Sequence, residues 1–125
     1  MTRWVIDSAV IIDATRGRSD AIEFLDVAAE QGEIWSVTPV RTEVGWGLHA
    51  DEQTRMDDLF RRIRWLEVSA DLADRAAEHG RRWGRSHGLS VIDAIVAAAA
   101  EELDAHVATL NVRDFPMFSD LQPPY

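Results

Sequence analysis

The 125-residue chain contains no cysteine and no lysine. The first absence excludes disulfides, thiolate nucleophiles and cysteine-type zinc sites, so oxygen or imidazole must hold any metal, and it agrees with a reducing cytosol. The second leaves arginine as the only basic residue type apart from histidine: 13 Arg stand against 22 Asp and Glu, for a net charge of −9 and a pI near 4.7. Such a surface repels nucleic acid as a whole, so a nucleic-acid role needs a local basic patch, a metal, or both. Long apolar runs are missing too. The longest without a charge, Ala94 to Ala100, is far short of the roughly 20 residues of a membrane span. The N-terminus shows no signal-type sequence, and the expectation is a soluble cytoplasmic protein with no membrane association.

No Pro/Gly/Ser-rich linker, internal repeat or low-complexity run divides the sequence, and 46% hydrophobic content suffices for a proper core, so residues 1–125 are expected to form one domain. Strand and helix patterns alternate from end to end, which predicts an α/β fold with a mainly parallel central sheet. Arg3 to Ile6 reads as the first strand, with a short helix over Ser8 to Thr15 stopping near Gly17. Ser19 or Asp20 is expected to cap a second helix that carries Ile22, Leu25 and Ala29 on one face and stops at Gly32. Glu33 to Val37 is the second predicted strand; Thr38 as N-cap and Pro39 at the first helical position then start a helix reaching about His49.

A helix from about Asp51 spaces Met56, Leu59, Phe60 and Ile63 regularly, and Trp65 to Val68 is the third predicted strand. Ser69 or Asp71 opens a long helix ending near Ser86 with a stop at Gly88, and Ser90-Val-Ile-Asp93 has the form of a capping box before another helix. His106 to Leu110 is the fourth predicted strand, and Met117 to Leu121 is a candidate edge strand.

Four acids occupy comparable places in this pattern: Asp7 after the first strand, Glu43 in the helix after the second, Asp93 in the first turn of the helix before the fourth, and Asp114 just beyond the fourth. The carboxyl edge of an open α/β sheet is where ligands bind. Each acid also has a structural reading: Asp7 as a helix cap, Asp93 as the partner of Ser90, Glu43 as an ordinary helix residue, Asp114 as a turn residue before Phe115-Pro116. Their joint placement favours one crevice. Carboxylates about 4 Å apart repel by roughly 4 kcal/mol at an effective dielectric of 20, so such a crevice calls for a cation. One or two Mg²⁺ ions held by Asp and Glu supply charge neutralisation and an activated water, the two requirements of phosphodiester cleavage.

The segments Val-Ile-Asp-Ser-Ala-Val-Ile-Ile-Asp, Thr-Pro-Val-Arg-Thr-Glu-Val, Gly-Leu-Ser-Val-Ile-Asp-Ala-Ile-Val-Ala-Ala-Ala-Ala and Ala-Thr-Leu-Asn-Val-Arg-Asp-Phe resemble, in order and spacing, the motifs of PIN-domain ribonucleases. The size is similar to that of a VapC-type toxin. The resemblance covers almost the whole chain and implies a three-layer α/β/α sandwich that cuts RNA with Mg²⁺ or Mn²⁺. By that resemblance Asp7 and Asp93 are direct metal ligands, and Glu43 and Asp114 act directly or through the ion's water. Ser8, Thr109 and Asn111 match supporting polar positions; Ala9 stands where relatives often carry a second hydroxyl. The resemblance also implies an RNA substrate and a small antitoxin, whose basic segment would suit a charge of −9.

Two arginine groups stand out, Arg61-Arg62 with Arg64, and Arg81-Arg82-Trp83-Gly84-Arg85. Guanidinium groups bind phosphate bidentately and stack on bases, so Arg82 and Arg85 are candidate RNA contacts; equally, arginine in a last helical turn complements the helix dipole. His49, His79, His87 and His106 show no metal-ligand spacing. Gly45 and Gly47 flank Trp46 within a predicted helix, where each Gly costs roughly 1 kcal/mol relative to Ala. A close approach by a homodimer mate or an antitoxin helix would explain them, as would internal packing. A catalytically silent binding module and a housekeeping nuclease are the competing readings. A haloacid-dehalogenase-like site is excluded by Ala9, and no Gly-x-Ser-x-Gly elbow or P-loop is present.

Overall fold

A computed structural model describes residues 1–125. Four strands, β1 (Thr2–Ile6), β2 (Gly32–Val37), β3 (Arg64–Leu66) and β4 (His106–Ala108), form one sheet in the order β3-β2-β1-β4, and every pairing is parallel. Adjacent residues are buried on β1 (Val5, Ile6), β2 (Ser36, Val37) and β4 (Val107, Ala108). Because successive side chains point to opposite faces, both faces of the sheet are covered, as parallel sheets require. The result is the α/β/α sandwich expected from the alternating pattern.

The helices are α1 (Ser8–Thr15), α2 (Ser19–Gln31), α3 (Thr38–Trp46), α4 (Gln53–Arg62), α5 (Ala70–His87) and α6 (Val91–Leu103). Helix α6 lies against β1, β2 and β4 with α5 packed on it, while α2 lies against β1 and β2 beside α1. Helix α6 is enclosed nearly all round, with Ala94 and Ala97 to Ala100 buried, because methyl side chains let sheet and helix approach closely. At the entry to β2, a Cβ on Gly32 would stand 1.8 Å from the Thr2 carbonyl oxygen. Only glycine lets the two strands pair at that point. No helix is long and apolar enough to cross a membrane.

Several local expectations are corrected. Neither Ser19 nor Asp20 caps α2; Arg18 holds the N-cap position without a side-chain bond. Thr38 is already helical, and Val37 precedes it as an uncapped N-terminus with Pro39 in the first turn. Helix α3 stops at Trp46 rather than His49, at the glycines that weaken it, and a 3-10 turn over Ala50–Glu52 follows, closed by a reciprocal capping box of His49 and Glu52. Strand β3 begins one residue early and ends at Leu66. Strand β4 ends at Ala108 because its partner β1 ends opposite it at Ile6 and Asp7 turns into α1. Met117 to Leu121 forms no strand: after Pro116 the chain turns, and the Phe118 N–H donates to the Phe115 carbonyl at 3.1 Å.

Candidate functional site: an acidic crevice at the switch point

The chain runs outward from β1 to β2 to β3, then returns to the other side of β1 with β4. That reversal makes the carboxyl end of β1 the topological switch point, where open α/β sheets hold their ligands. Asp7 sits there. Its N–H donates to the Ala108 carbonyl at 2.9 Å, which continues the β1/β4 ladder by one bond, and its backbone is extended as the N-cap of α1. The side chain is 3% exposed. One oxygen, Oδ1, accepts from the Ser8 N–H at 2.9 Å and the other, Oδ2, from the Thr109 hydroxyl at 2.8 Å. The capping reading of Asp7 is therefore correct.

Burial pushes Asp7 up to about 6, and the charges of Asp93 and Glu43 add to the rise, while the bonds from Thr109 and Ser8 oppose it. Asp93 is half-buried and is likewise raised, first by desolvation and then by Asp114 and Glu43, against hydrogen bonding with Ser90. The Ser90 hydroxyl caps α6 by accepting from the Asp93 N–H at 3.1 Å. Asp7 thus feels the charges of Asp93 and Glu43, Asp93 those of Asp114 and Glu43, and no cation is among the causes that shift either group. Glu43 is exposed on α3, and Asp114 closes a 3-10 turn over Val112–Asp114 whose successor, Phe115, is fully buried and anchors the turn.

The supporting positions divide. Thr109, 0% exposed, links Asp7 to the Asn111 N–H, which donates to its hydroxyl at 3.0 Å. Ser8 contributes its N–H, and Asn111 its N–H, with the Asn111 side chain exposed. No three His, Asp or Glu side chains are grouped closely enough to hold a metal ion as they stand. The donor set nevertheless suits a hard divalent cation: it is oxygen only, two of its carboxylates are raised by burial and mutual repulsion, and nothing positive relieves them.

Arg82 and Arg85 lie exposed near the end of α5 and make no ion pair; the Arg82 guanidinium lies 4.9 Å from the centroid of the neighbouring Trp83 ring. The other arginine group is structural: Arg61 pairs with Asp58, Arg62 with Asp26 at 2.7 Å and Arg64 with Glu33 at 3.4 Å. Each histidine has a local partner, His49 with Glu52, His79 with Glu101 at 2.5 Å, His87 with Ser86 at 2.7 Å and His106 with Trp4 at 5.1 Å between ring centroids. A contact that the sequence did not signal closes the tail: the Tyr125 hydroxyl donates to Asp13 Oδ2 at 2.6 Å, with the Arg18 guanidinium 5.0 Å from the Tyr125 ring centroid.

A parallel α/β sandwich with acidic residues near the carboxyl edge of its sheet defines a fold class rather than one protein. Within that class the chain belongs to the PIN domain family, whose profile matches residues 4–119. It is 37% identical over 123 residues to "Ribonuclease VapC19" of Mycobacterium tuberculosis, covering 97% of this chain and 98% of the relative. It is 33% identical to "Ribonuclease VapC10" of the same organism, covering 97% of this chain and 92% of that one. Among solved structures, VapBC2 from Rickettsia felis bound to a promoter DNA fragment superposes with a TM-score of 0.77 at 18% identity, covering 96% of each chain. A toxin-antitoxin complex from Klebsiella pneumoniae superposes with a TM-score of 0.73 at 22% identity, covering 100% of this chain and 98% of that one.

Proposed function

We propose that this chain is a divalent-metal-dependent endoribonuclease that serves as the toxin of a toxin–antitoxin pair. One observation carries the reading: residues across 97% of the chain are 37% identical to a ribonuclease of the same length class; the charge coupling of Asp7 with Asp93 and Glu43, and of Asp93 with Asp114 and Glu43, supports it. Asp7 and Asp93 would hold Mg²⁺ or Mn²⁺, with Glu43 and Asp114 beside them. The ion, when bound, supplies charge neutralisation at the phosphate and a lowered pKa for water.

The chain's own residues do the rest. Thr109 and the Ser8 N–H fix both oxygens of Asp7, so its orientation is set before substrate arrives. Ser90 holds the first turn of α6 and with it Asp93. A carboxylate of the set takes the proton from the attacking water, and Glu43, exposed at the crevice rim, is open to solvent for that purpose. Arg82 and Arg85, exposed near the end of α5, would attract the RNA backbone. An antitoxin with a basic segment would complement a chain of charge −9, and toxin–antitoxin assemblies recur among the fold relatives.

The test is cleavage of a structured RNA pool by the purified protein with Mg²⁺, with Mn²⁺ and with EDTA, alongside Asp93→Asn. Cleavage that needs the ion and falls more than tenfold in the variant supports the reading. Cleavage that survives EDTA, or full activity in Asp93→Asn, refutes the carboxylate-metal site.

A further inference from the structure

Four of the five tryptophans pack against the core: Trp4 meets Phe24 edge-on at 5.1 Å, Trp65 meets Phe60 at 4.9 Å, Trp35 donates to Glu33, and Trp83 lies against His87. Trp46 has no such role. It is 88% exposed at the end of α3, outside the core cluster. Helix geometry places it. At about 100° per residue, the buried Val40 and Val44 define the inner face of α3, and Glu43 and Trp46 fall together on one flank while Arg41 and Gly45 fall on the other. Residues at i and i+3 are neighbours on a helix surface, so the indole stands one turn beyond the Glu43 carboxylate.

The glycines beside it have no packing reason. A Cβ on Gly45 or Gly47 would meet nothing within 4 Å, and neither glycine has a positive φ. They weaken the helix and leave the indole without flanking side chains. A protein helix docking here would need a contiguous apolar surface, whereas the only other large exposed hydrophobics are Met1, Val27 and Val91, none of them on α3. A lone, uncovered π-face among polar residues suits one flat ligand. Bases of single-stranded nucleic acid are recognised by stacking on such aromatic side chains.

We infer that Trp46 is a stacking platform for a nucleobase of the RNA substrate, one turn from the acidic crevice, and that it sets which position along the strand is cut. The inference rests on the ribonuclease reading above. A base held on the indole fixes the register of the strand, and the phosphate presented to the acids is then chosen by distance from that base rather than by contact with the phosphates themselves.

The experiment measures kcat, KM and cut positions on a random single-stranded RNA pool with Mg²⁺ for the wild type, Asp93→Asn, Trp46→Ala and Trp46→Phe, together with the melting temperature of each. Trp46→Ala is expected to raise KM roughly 5- to 150-fold, the range that base–aromatic stacking converts to, with kcat within about threefold, cut positions redistributed and melting unchanged. Trp46→Phe is expected to recover most of the loss. A wild type that cuts no RNA removes the ribonuclease reading and this inference with it. A wild type that cuts, an Asp93→Asn that does not, and a Trp46→Ala with wild-type KM and cut positions would overturn the inference alone. So would an unchanged KM in Trp46→Ala accompanied by lost inhibition by the cognate antitoxin, which would assign the indole to a protein interface.

Discussion

The Thr109 hydroxyl donates to Asp7 Oδ2 at 2.8 Å, across the seam where β4 joins β1 and between residues 102 positions apart. The same hydroxyl accepts from the Asn111 N–H, so one buried oxygen ties the acid after β1 to the turn that carries Asp114. Removing it strands two polar groups.

Thr109→Val is therefore expected to lower unfolding free energy by about 1–3 kcal/mol, the usual effect of leaving buried groups unpaired, while Thr109→Ser retains most of the stability. Urea denaturation of the three proteins decides it. Equal midpoints for the valine variant and the wild type would show that the bond contributes nothing.

The acidity of Asp7 gives a pH dependence with a definite sign. Folded, it keeps its proton to about pH 6; unfolded, it releases it near 3.8. Between those values the native state binds more protons, so this group's contribution to stability falls as pH rises through the window, and above it the full penalty, about 3 kcal/mol, remains. In EDTA, Asp7→Asn is expected to melt above the wild type at about pH 8, with the difference closing towards about pH 4. A difference independent of pH would contradict the repulsive, desolvated site.

Metal is expected to reverse that penalty. Binding to the native state raises the melting temperature by mass action, so Mg²⁺ stabilises the wild type and leaves an Asp7→Asn/Asp93→Asn double variant unmoved. An equal Mg²⁺ shift in both proteins places the ion elsewhere.

Phe115 is fully buried beside Asp114. Phe115→Ala is expected to cost about 3–5 kcal/mol through the cavity it leaves, and to lower cleavage at temperatures where the variant is still folded, because the Asp114 turn loses its anchor. Activity equal to wild type under those conditions would separate Asp114 from the site.

Much of this was legible in the sequence because it depends on local chemistry. Ser69 and Ser90 cap α5 and α6 as read, with bonds to the Leu72 and Asp93 N–H groups, and Gly88 ends α5 in the left-handed conformation. The parallel sheet followed from alternation and from strands buried on both faces. What failed depended on competition between neighbours. Thr38 resembles a cap, yet the helix begins at it, since Pro39 fixes only the second residue's backbone. Strand β4 looked five residues long because the apolar run continues to Leu110, but its partner β1 ends at Ile6, opposite Ala108, and pairing stops there. The Tyr125–Asp13 contact joins residues 112 positions apart, a proximity that only the folded chain creates. The four acids stand out by their order along the chain, whereas the coupling of Asp7 to Asp93 and Glu43, and of Asp93 to Asp114 and Glu43, exists only in the folded chain.

The strand order β3-β2-β1-β4 also has a meaning in time. Asp7 is among the first residues made, while Thr109 and Asp114, which complete its surroundings, are among the last. At roughly 5–20 residues per second, synthesis separates them by roughly 5 to 20 seconds. Throughout that interval β1 has an open edge, and Asp7 lacks the hydroxyl that orients it. The surroundings of Asp7 are therefore complete only once the C-terminal strand has docked.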